Sequence, residues 1–596
     1  MGVIYGCQRP IGVDMAGQGN GGAAGAKKAA AAQPAADWMT SGSGHPRRWG
    51  ILAVLVVSLL IVVLDNTVLN IALPTIQGDL AISQGELVWA VDSYILAFAA
   101  LLFTWGVLGD RIGRKRVLII GMVIFGLASA ICAFSVNAGM LIGFRTIMGI
   151  GGAAVLPTTL AIITVVFPPH ERGKAIGMWA GAVGAAVALG PVLGGLLLQH
   201  PDWFGWLTGN AWGSVFLINV PIVIIGLIGI VRVVPETRNP QPRRLDLVGL
   251  VISVVGLVLL VYGIIHASAT RSWVDISVLG PIVAGLVVIG VFIWLERRSD
   301  HPSFDVSLFA NRGYAVSLAA VSLAFFALSG ITFSLPFYLQ ILRGYDTLIA
   351  GLCFVPFALG QLLAAPRSAS VVARLGYRPV MTGGLILVAL SLIGLLFLQL
   401  DTPVWILLVI FFVFGLGMGN VIAPASTVMQ NVLPLARAGA GSAVQNTVRQ
   451  VGGALGVAII GTVLATRYAA NLDQVLPASF PARDVASESI VATAAVLDKA
   501  DSMGVPGAVV DQVRSGAFEA FLSASHTANV ISLVIVVIAA LLVGFGLPSL
   551  RPPTKGAAGS GPASDPTERR LETESAEYTE QADQEYPATE QPGRTA

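Results

Sequence analysis

The sequence predicts an all-α protein that crosses a membrane many times. Fourteen mostly apolar segments run through the chain, and most have the length of about 20 residues that a helix needs to span a bilayer. Apolar residues make up 55% of the chain and charged residues only 11%, whereas a soluble globular chain carries roughly 25% charged residues. The apolar runs do not alternate with polar residues, so they favour helices over the strands of a membrane barrel.

The apolar segments fall into two groups of six with an extra pair between them. The first group covers residues 50–233, the linking pair covers 246–295, and the last group covers 314–548. The predicted segments are 50–73, 87–108, 116–136, 139–162, 174–198, 213–233, 246–266, 276–295, 314–341, 349–371, 380–400, 404–426, 440–465 and 527–548.

An internal repeat supports two lobes of similar construction. Residues 110–115 (DRIGRK) follow the second segment, and residues 373–378 (ARLGYR) follow the tenth. Both share an Arg-x-Gly-x-basic skeleton, although the acid is lost from the second copy. Repeated halves around a central cavity are typical of transporters. We therefore predict two six-helix lobes joined by two extra central helices.

Three regions are predicted to lie outside the bundle. Residues 1–49 are rich in Ala and Gly and are expected to form a disordered tail, with Met15 as an alternative start. Residues 549–596 form an acidic tail that is also expected to be disordered. Residues 467–526 are longer than an ordinary loop, and both short helices capping the outer mouth and a poorly ordered insertion are compatible with them.

The orientation follows from the distribution of Lys and Arg in the short loops. Loops that follow even-numbered segments hold most of these residues, whereas the short loops on the other side hold only Arg271 and Arg343. Basic loops stay on the cytoplasmic side of a membrane. The sequence thus predicts that both termini are cytoplasmic and that residues 467–526 lie on the extracytoplasmic side.

The composition argues against several other classes of protein. The net charge is only +2, so a nucleic-acid partner is not expected. The cysteines Cys7, Cys132 and Cys353 are scattered, which disfavours a disulfide framework, a zinc site or an iron–sulfur cluster. The chain has no Gly-x4-Gly-Lys-Ser/Thr loop, so ATP is not the predicted energy source. We expect no enzyme activity, cofactor or metal.

Asp65 lies deep within the first apolar segment. A carboxylate there costs several kcal/mol unless it is paired, hydrated or protonated, so a functional role is the default prediction. The alternative is a structural acid that Asn66, Thr67 or Asn70 holds by hydrogen bonds. Asn70 is also predicted to line the substrate cavity.

Asp92 and its neighbours Trp89 and Tyr94 lie in the second segment. Because Asp92 is nearer a helix end, we expect it to be solvated more easily than Asp65. Trp89 and Tyr94 fit either interfacial anchors or cavity walls. We assign Asp92 and Trp89 to the substrate cavity.

Two arginines lie inside apolar segments. Arg145 is the only charge in the fourth segment, and since an unpaired buried guanidinium is costly, we expect Asp65 or Asp92 to pair with it. A static ion pair that locks two helices is the alternative. Arg449 belongs to a polar patch in the thirteenth segment, together with Gln445, Asn446 and Gln450. It is predicted either to contact substrate in the cavity or to pair across the bundle.

The turn after the second segment has features of a gate. Gly106 and Gly113 permit a tight turn there. We expect Asp110 to lie against the positive end of a helix from the other half and to lock that face of the protein. Arg111 and Arg114 either take part in this lock or only set the topology.

The fifth segment carries Gly190, Pro191, Gly194 and Gly195. Small residues at this spacing let another helix approach closely, and the proline permits a bend. A helix surface of small residues would let the two lobes move against each other without opening a path for protons between them. Ordinary packing of membrane helices is the alternative.

Three motifs resemble those of a known family. Residues 106–116 (GVLGDRIGRKR) are similar to the loop signature of the major facilitator superfamily. Residues 64–74 (LDNTVLNIALP) resemble the signature of its fourteen-helix branch, the EmrB/QacA-type drug:proton antiporters, and residues 190–195 (GPVLGG) match the antiporter motif. The resemblance covers about residues 50–550.

The resemblance implies roles for three charged residues. Asp65 and Arg145 would couple transport to protons, since Arg145 matches the arginine of a proton-transfer motif. Met148 departs from that motif, because the family usually has Gln at this position. Asp92 matches an acid that some relatives use to recognise cationic substrates.

These observations predict proton-coupled efflux of amphiphilic, often cationic drugs or toxic small molecules across a bacterial plasma membrane by alternating access. The proton gradient would supply the energy. A lipid exporter or flippase on the same fold and an importer of a small metabolite remain as alternatives. The expected partners are small amphiphiles, lipids as an alternative cargo, protons and the bilayer, and we expect a monomer.

Overall fold

A computed structural model describes residues 44–238, 246–270, 272–298, 306–431, 438–477, 480, 482–500 and 505–548. These residues belong to one compact unit and form helices and no strands. Thirteen helices among them are long and apolar enough to cross a membrane. The predicted all-α, multi-spanning fold is therefore confirmed. The predicted acidic tail and residues 1–43 lie outside the described residues.

The N-terminal half contains nine helices within the described ranges. Their sequence explains where several of them begin: Ser83 and Glu86 cap each other's backbone at the start of the second helix, and Asn137 caps the fourth. The helices are α1 (Arg48–Leu80), α2 (Gln84–Ile112), α3 (Arg114–Cys132), α4 (Ala138–Gly152), α5 (Val155–Val166), α6 (Pro169–Gln199), α7 (Gly205–Thr208), α8 (Gly213–Leu217) and α9 (Asn219–Val233).

The linking pair and the C-terminal half supply the remaining helices. The linking pair pack against each other, and α10 also packs against α2 and the long helix α17. These helices are α10 (Leu247–Thr270), α11 (Ile276–Arg298), α12 (Arg312–Phe337), α13 (Thr347–Leu352), α14 (Val355–Leu375), α15 (Tyr377–Leu396), α16 (Val404–Asn431), α17 (Ala438–Leu472), α18 (Arg483–Ala486), α19 (Ile490–Asp498) and α20 (Gly507–Gly546).

Helix α6 occupies the place of the predicted segment 174–198. It is 31 residues long, although only part of its side chains is described, and the apolar stretch recognised in it is Leu189–Gln199. Thirteen of the fourteen predicted segments thus correspond to helices of spanning length and hydropathy among the described residues, and the remaining segment corresponds to α6 with its shorter apolar stretch.

The predicted boundary of the N-terminal tail is wrong by a few residues. Helix α1 begins at Arg48, and Arg48 forms an ion pair of 2.5 Å between Nε and Oε2 of Glu171, at the start of α6. Trp49 contacts the edge of Phe167. The last residues of the predicted tail therefore belong to the bundle.

The segment 467–526 is largely helical where the structure describes it. Helix α17 continues to Leu472, the short helices α18 and α19 follow, and α20 begins at Gly507 rather than near the predicted 527. The hydroxyls of Tyr468 and Thr493 lie 2.5 Å apart, and Thr493 donates to the carbonyl of Ala486. These bonds hold α18 and α19 on the end of α17.

Helix α19 lies against both halves of the protein. Gly78, near the end of α1, faces the side chain of Val491 in α19, and α19 also packs against α20. We call this end of the bundle the capped end. The opposite end, which holds the loop 110–115, is called the basic end.

Candidate functional site

A buried ion pair joins α1 and α4 in the N-terminal half. Nη1 of Arg145 lies 2.6 Å from Oδ2 of Asp65, and the two side chains are 0% and 1% exposed. Of the two predicted partners for Arg145, the structure selects Asp65. The pair contributes little to stability by itself, but removing one member would leave an uncompensated buried charge.

The second carboxylate oxygen of Asp65 is also satisfied. Nδ2 of Asn219, the first residue of α9, donates to Oδ1 of Asp65 at 2.9 Å and to Oγ of Ser129 at 3.0 Å. Ser129 in turn donates to the carbonyl of Phe216 at 2.9 Å. Helices α1, α3, α4 and α9 thus meet at one polar cluster, which we call the Asp65 cluster (Asp65, Ser129, Arg145, Asn219).

Arg145 makes further contacts with α2. Its Nε donates to the carbonyl of Ala90 at 3.2 Å, and its guanidinium carbon lies 4.3 Å from the ring centre of Tyr94. A cation over an aromatic face gains roughly 0.5–2 kcal/mol. Nη2 of Arg145 has no hydrogen-bond partner among the described residues. The N–H groups on Nη2 therefore have no acceptor among the described residues.

Sequence reasoning missed Asn219 and Ser129. The alternative set of partners for Asp65 is wrong: Thr67 bonds to the carbonyls of Val63 and Leu64 instead, and Asn66 and Asn70 make no hydrogen bond to Asp65 and are partly exposed. A signal for Asn219 was present, since an amide in an apolar segment needs a partner.

Asp92 has surroundings of the opposite kind. Its side chain is 0% exposed, and neither carboxylate oxygen has a hydrogen-bond partner among the described residues. The expectation that Asp92 is easily solvated is therefore wrong, because α2 continues past it in both directions within the packed bundle. Nearby Trp89 is partly buried against the core.

Arg449 lies in α17 of the C-terminal half. Its guanidinium carbon is 5.1 Å from the ring centre of Phe325 in α12, and its Nε has no partner among the described residues. The side chain is only partly buried. Neither Asp65 nor Asp92 forms an ion pair with it.

Gly190, Gly194 and Gly195 of α6 lie where this helix closely approaches its neighbours. A side chain at Gly190 would collide with Thr67 of α1, one at Gly194 would press against Val68, and one at Gly195 would collide with the backbone of Thr347 in α13. Thr347 also donates to the carbonyl of Gly195 at 2.9 Å. The contacts of Gly195 join the two halves.

Pro191 takes part in the same contact between halves. Gly351 of α13 faces its carbonyl so closely that a side chain there would not fit. On the neighbouring helix α1, the carbonyl of Ile71 accepts a hydrogen bond of 2.8 Å from Nε2 of Gln340. Because these residues lie near the capped end of their helices, the two halves meet there.

The loop at the basic end is held within its own half. Asp110 accepts hydrogen bonds of 3.0 and 2.8 Å from Arg114, which also donates to the carbonyl of Ala161. This differs from the expected contact of Asp110 with a helix of the other half. The pairing with Arg114 forms across the turn at Gly113, which separates the end of α2 from the first residue of α3.

Two glycines and an acid shape the same loop. Gly113 has φ +116° and lies against the carboxylate of Glu236, which also accepts a hydrogen bond of 3.2 Å from the backbone of Lys115. Gly106 packs at ordinary distance against Pro157. Arg111 is exposed. Sequence reasoning missed the contribution of Glu236.

No group of three or more His, Cys, Asp or Glu side chains that could hold a metal occurs in the part of the chain that the structure describes.

The chain is similar to known transporters. A family model described as "Major Facilitator Superfamily" matches residues 55–457. "Multidrug efflux pump LfrA" of Mycolicibacterium smegmatis is 34% identical over 501 residues, which cover 84% of this chain and 96% of the relative. "Methyl viologen resistance protein SmvA" of Salmonella typhimurium is 33% identical over 445 residues, which cover 74% and 87%.

Solved structures show the same architecture. A bacterial homologue of the human lysosomal transporter Spinster, in an inward-facing and occupied conformation, matches with a TM-score of 0.60 and 15% identity, covering 85% of this chain and 98% of that one. At this identity the match supports the fold alone. The extent of the family match and of the curated relatives shows that this chain belongs to the major facilitator superfamily.

Proposed function

We propose that this protein exports cationic amphiphilic molecules from the cytoplasm in exchange for protons. The relatives named as a multidrug efflux pump and a methyl viologen resistance protein support this direction and this class of cargo. The basic loops support a plasma-membrane protein whose basic end and both termini face the cytoplasm.

The observation that carries the proposal is Asp92. It is a fully buried carboxyl group without a hydrogen-bond partner among the described residues. An ionised carboxylate in such a place costs several kcal/mol. A proton or a bound cation can each remove that cost, and both cannot occupy the group at once. Competition between proton and cationic cargo at Asp92 is what an antiporter needs.

Asp65 is proposed to have a different role in the same transport cycle. Both of its oxygens are engaged, one by Arg145 and the other by Asn219. Protonation of Asp65 would therefore release Arg145 from its partner and loosen the link between α1 and α4. We assign to this cluster the step that converts proton binding into movement of helices.

The contacts at the capped end support alternating access. Thr347 and Gln340 of the C-terminal half bond to backbone carbonyls of α6 and α1 in the N-terminal half. These bonds close the capped end, and export requires that they open once per cycle. No side chain of opposite charge takes part in these two bonds, so they can part without separating an ion pair.

The proton gradient is the proposed energy source, and no cofactor is needed. One proton that moves down 100 mV supplies about 2.3 kcal/mol. That free energy sustains a gradient of roughly fifty-fold for a neutral solute.

The test is transport by purified protein in proteoliposomes with an imposed pH gradient. A cationic dye such as ethidium should be moved against its gradient by the wild type, and collapse of the pH gradient should stop it. Asp92→Asn should reduce ethidium transport at least tenfold. The matched control is Asp79→Asn, which changes an exposed acid at the end of α1 and should transport normally.

A labelled phospholipid in the same vesicles tests the alternative cargo. We expect no pH-driven movement of this lipid. Movement of the lipid without movement of ethidium would contradict the proposal and favour a lipid exporter. Full ethidium transport by Asp92→Asn would remove Asp92 from the mechanism.

A further inference from the structure

Arg449 is a charge inside the bundle that the proton cycle above does not use. It lies in the membrane-spanning helix α17, makes no hydrogen bond or ion pair to another residue of the described chain, and remains partly exposed. A guanidinium group in this setting is costly unless an anion or water reaches it. An anion is the ligand that would satisfy most of its donors.

The neighbours of α17 show where Arg449 lies. Oγ of Ser322 in α12 donates to the carbonyl of Val448 at 3.2 Å, and Oγ1 of Thr447 donates to the carbonyl of Ala99 in α2 at 3.4 Å. Because Ala99 belongs to the N-terminal half, the residues around Thr447 and Arg449 lie where the two halves adjoin. This is the region in which a transported molecule passes between them.

The contacts of Arg449 leave its donors available. Phe325 lies near the guanidinium with 5.1 Å between the guanidinium carbon and the ring centre. A contact through the aromatic ring leaves the N–H groups at the edge of the guanidinium unsatisfied, as the orphaned Nε shows. The planar fork of N–H groups in arginine matches the two oxygens of a carboxylate or phosphate.

The polar residues beside Arg449 suit the same ligand. Gln445 and Gln450 lie on the same helix and are partly exposed, and Nε2 of Gln445 donates to Oγ of Ser426 in α16 at 2.6 Å. That bond fixes the amide of Gln445 one helical turn from Arg449. The patch therefore offers one cation and neutral polar groups, and it contains no acid.

Helices α2 and α17 pack against each other across the two halves. The first carries Asp92 and the second carries Arg449, and neither charge has a partner among the described residues. The N-terminal half thus contributes an acid and the C-terminal half a base, on two helices that are in contact. A molecule that carries both charges would satisfy both groups.

We propose that Arg449 is a binding site for an oxyanion on the transported molecule, so that the protein exports zwitterionic amphiphiles as well as simple cations. The cationic end would lie toward Asp92 and the carboxylate or phosphate toward Arg449. This inference rests on the proposed export function and specifies the chemical class of its cargo.

The test compares two dyes that differ only in a carboxylate. Rhodamine B is a zwitterion, and its ethyl ester is a cation with the same ring system. Wild-type protein should export both dyes from proteoliposomes under a pH gradient. Arg449→Gln should reduce export of rhodamine B about tenfold, since a charge-assisted hydrogen bond is lost, and should change export of the ester less than twofold.

The control is Arg367→Gln, which removes the same charge from an exposed arginine of α14 and should leave both dyes unchanged. Equal losses of the acid and the ester in Arg449→Gln would overturn the inference, because they indicate a structural role beside Phe325. If neither dye is exported by the wild type while the protein is intact, the proposed function fails rather than this inference alone.

Two additional experiments test the remaining alternatives. Fluorescent short-chain phosphatidylglycerol carries a phosphate but no cationic end for Asp92, so we expect no pH-driven movement of it. Movement by the wild type that is lost in Arg449→Gln would assign the site to a lipid phosphate and overturn the zwitterionic cargo. If Arg449→Gln does not accumulate, Arg449→Lys keeps the charge without the planar fork. It should weaken binding of rhodamine B at least threefold relative to the wild type and leave binding of the ester unchanged, whereas equal changes in affinity for the two dyes would overturn the inference.

Discussion

The two carboxyl groups in the N-terminal half have the same depth of burial and opposite surroundings. Asp65 has an ion pair with Arg145 on one oxygen and an amide donor from Asn219 on the other. Asp92 has no hydrogen-bond partner on either oxygen among the described residues. Burial alone therefore does not define the role of an acid in a membrane protein. Whether the carboxylate has a structural role or is available to bind a ligand depends on its hydrogen-bond and ion-pair partners.

This difference separates two tasks of a transporter. An acid that holds an arginine changes the packing of helices when it is protonated, because the arginine loses its counter-charge. An acid without partners changes the affinity of the cavity for cations when it is protonated. The four predictions below test that division, beginning with the largest expected effect.

Arg145→Gln should be the most destabilising of these substitutions. It leaves Asp65 as a buried charge without its partner and removes the contact with Tyr94, which together cost about 3–5 kcal/mol. Thermal unfolding in detergent, followed by tryptophan fluorescence, should show a clear loss. The double variant Asp65→Asn/Arg145→Gln should recover part of the stability without transport. No recovery in the double variant would show that the two residues do not act as a pair.

Asp65→Asn should abolish proton-driven transport at a cost in stability near the lower end of that range. The amide keeps the shape of the side chain and its oxygen can still accept a hydrogen bond, but Arg145 loses its counter-charge and Asn219 faces a weaker acceptor. We expect a loss of about 3 kcal/mol and no pH-driven movement of ethidium. Proteoliposome transport and thermal unfolding on the same preparations check both parts. Normal transport by this variant would exclude Asp65 from coupling.

Asn219→Ala should have an intermediate effect. It removes the bonds to Asp65 and Ser129 while the ion pair with Arg145 remains. Loss of a buried hydrogen-bond donor costs about 1–2 kcal/mol. The control is Ser214→Ala, which changes a buried hydroxyl in the preceding helix that has no partner among the described residues. If both variants unfold at the same temperature, Asn219 does not support Asp65.

Asp92→Asn should leave stability unchanged or raise it. The substitution breaks no hydrogen bond within the described chain, and it removes the cost of burying a carboxylate. Its thermal midpoint should therefore equal or exceed that of the wild type even though cation transport is lost. A strong decrease in the midpoint would mean that Asp92 has a structural partner, and the contrast with Asp65 would then fail.

Much of the fold was predictable from the sequence because the bilayer restricts it. Helices of spanning length are required wherever apolar runs reach about 20 residues, and each predicted segment matches a helix. The pairing of Arg145 with one of two acids was predictable from the cost of an unpaired charge. The repeat of the 110–115 loop was also informative, since Gly113 and Gly376 both have positive φ, +116° and +88°.

Other features depend on contacts between distant parts of the chain. Asn219 follows Asp65 by more than a hundred residues, and only the packing of α9 against α1 brings them together. The location of Asp92 near the start of α2 suggested solvation, but neighbouring helices bury it. The start of α20 was missed because its first half is amphipathic and carries Asp511, Arg514 and Glu519, and hydropathy identifies only the part of a helix that lies in lipid.

Helix α20 has 40 residues, which at 1.5 Å per residue gives a rod of about 60 Å. The hydrocarbon layer is only about 30 Å thick, and the exposed apolar residues of α20 lie in its second half, from Val530 to Phe545. In the proposed orientation, the first half of α20 therefore extends beyond the membrane on the extracytoplasmic side. A binding protein raised against its exposed Asp511 and Arg514 face could add mass for electron microscopy without entering the lipid.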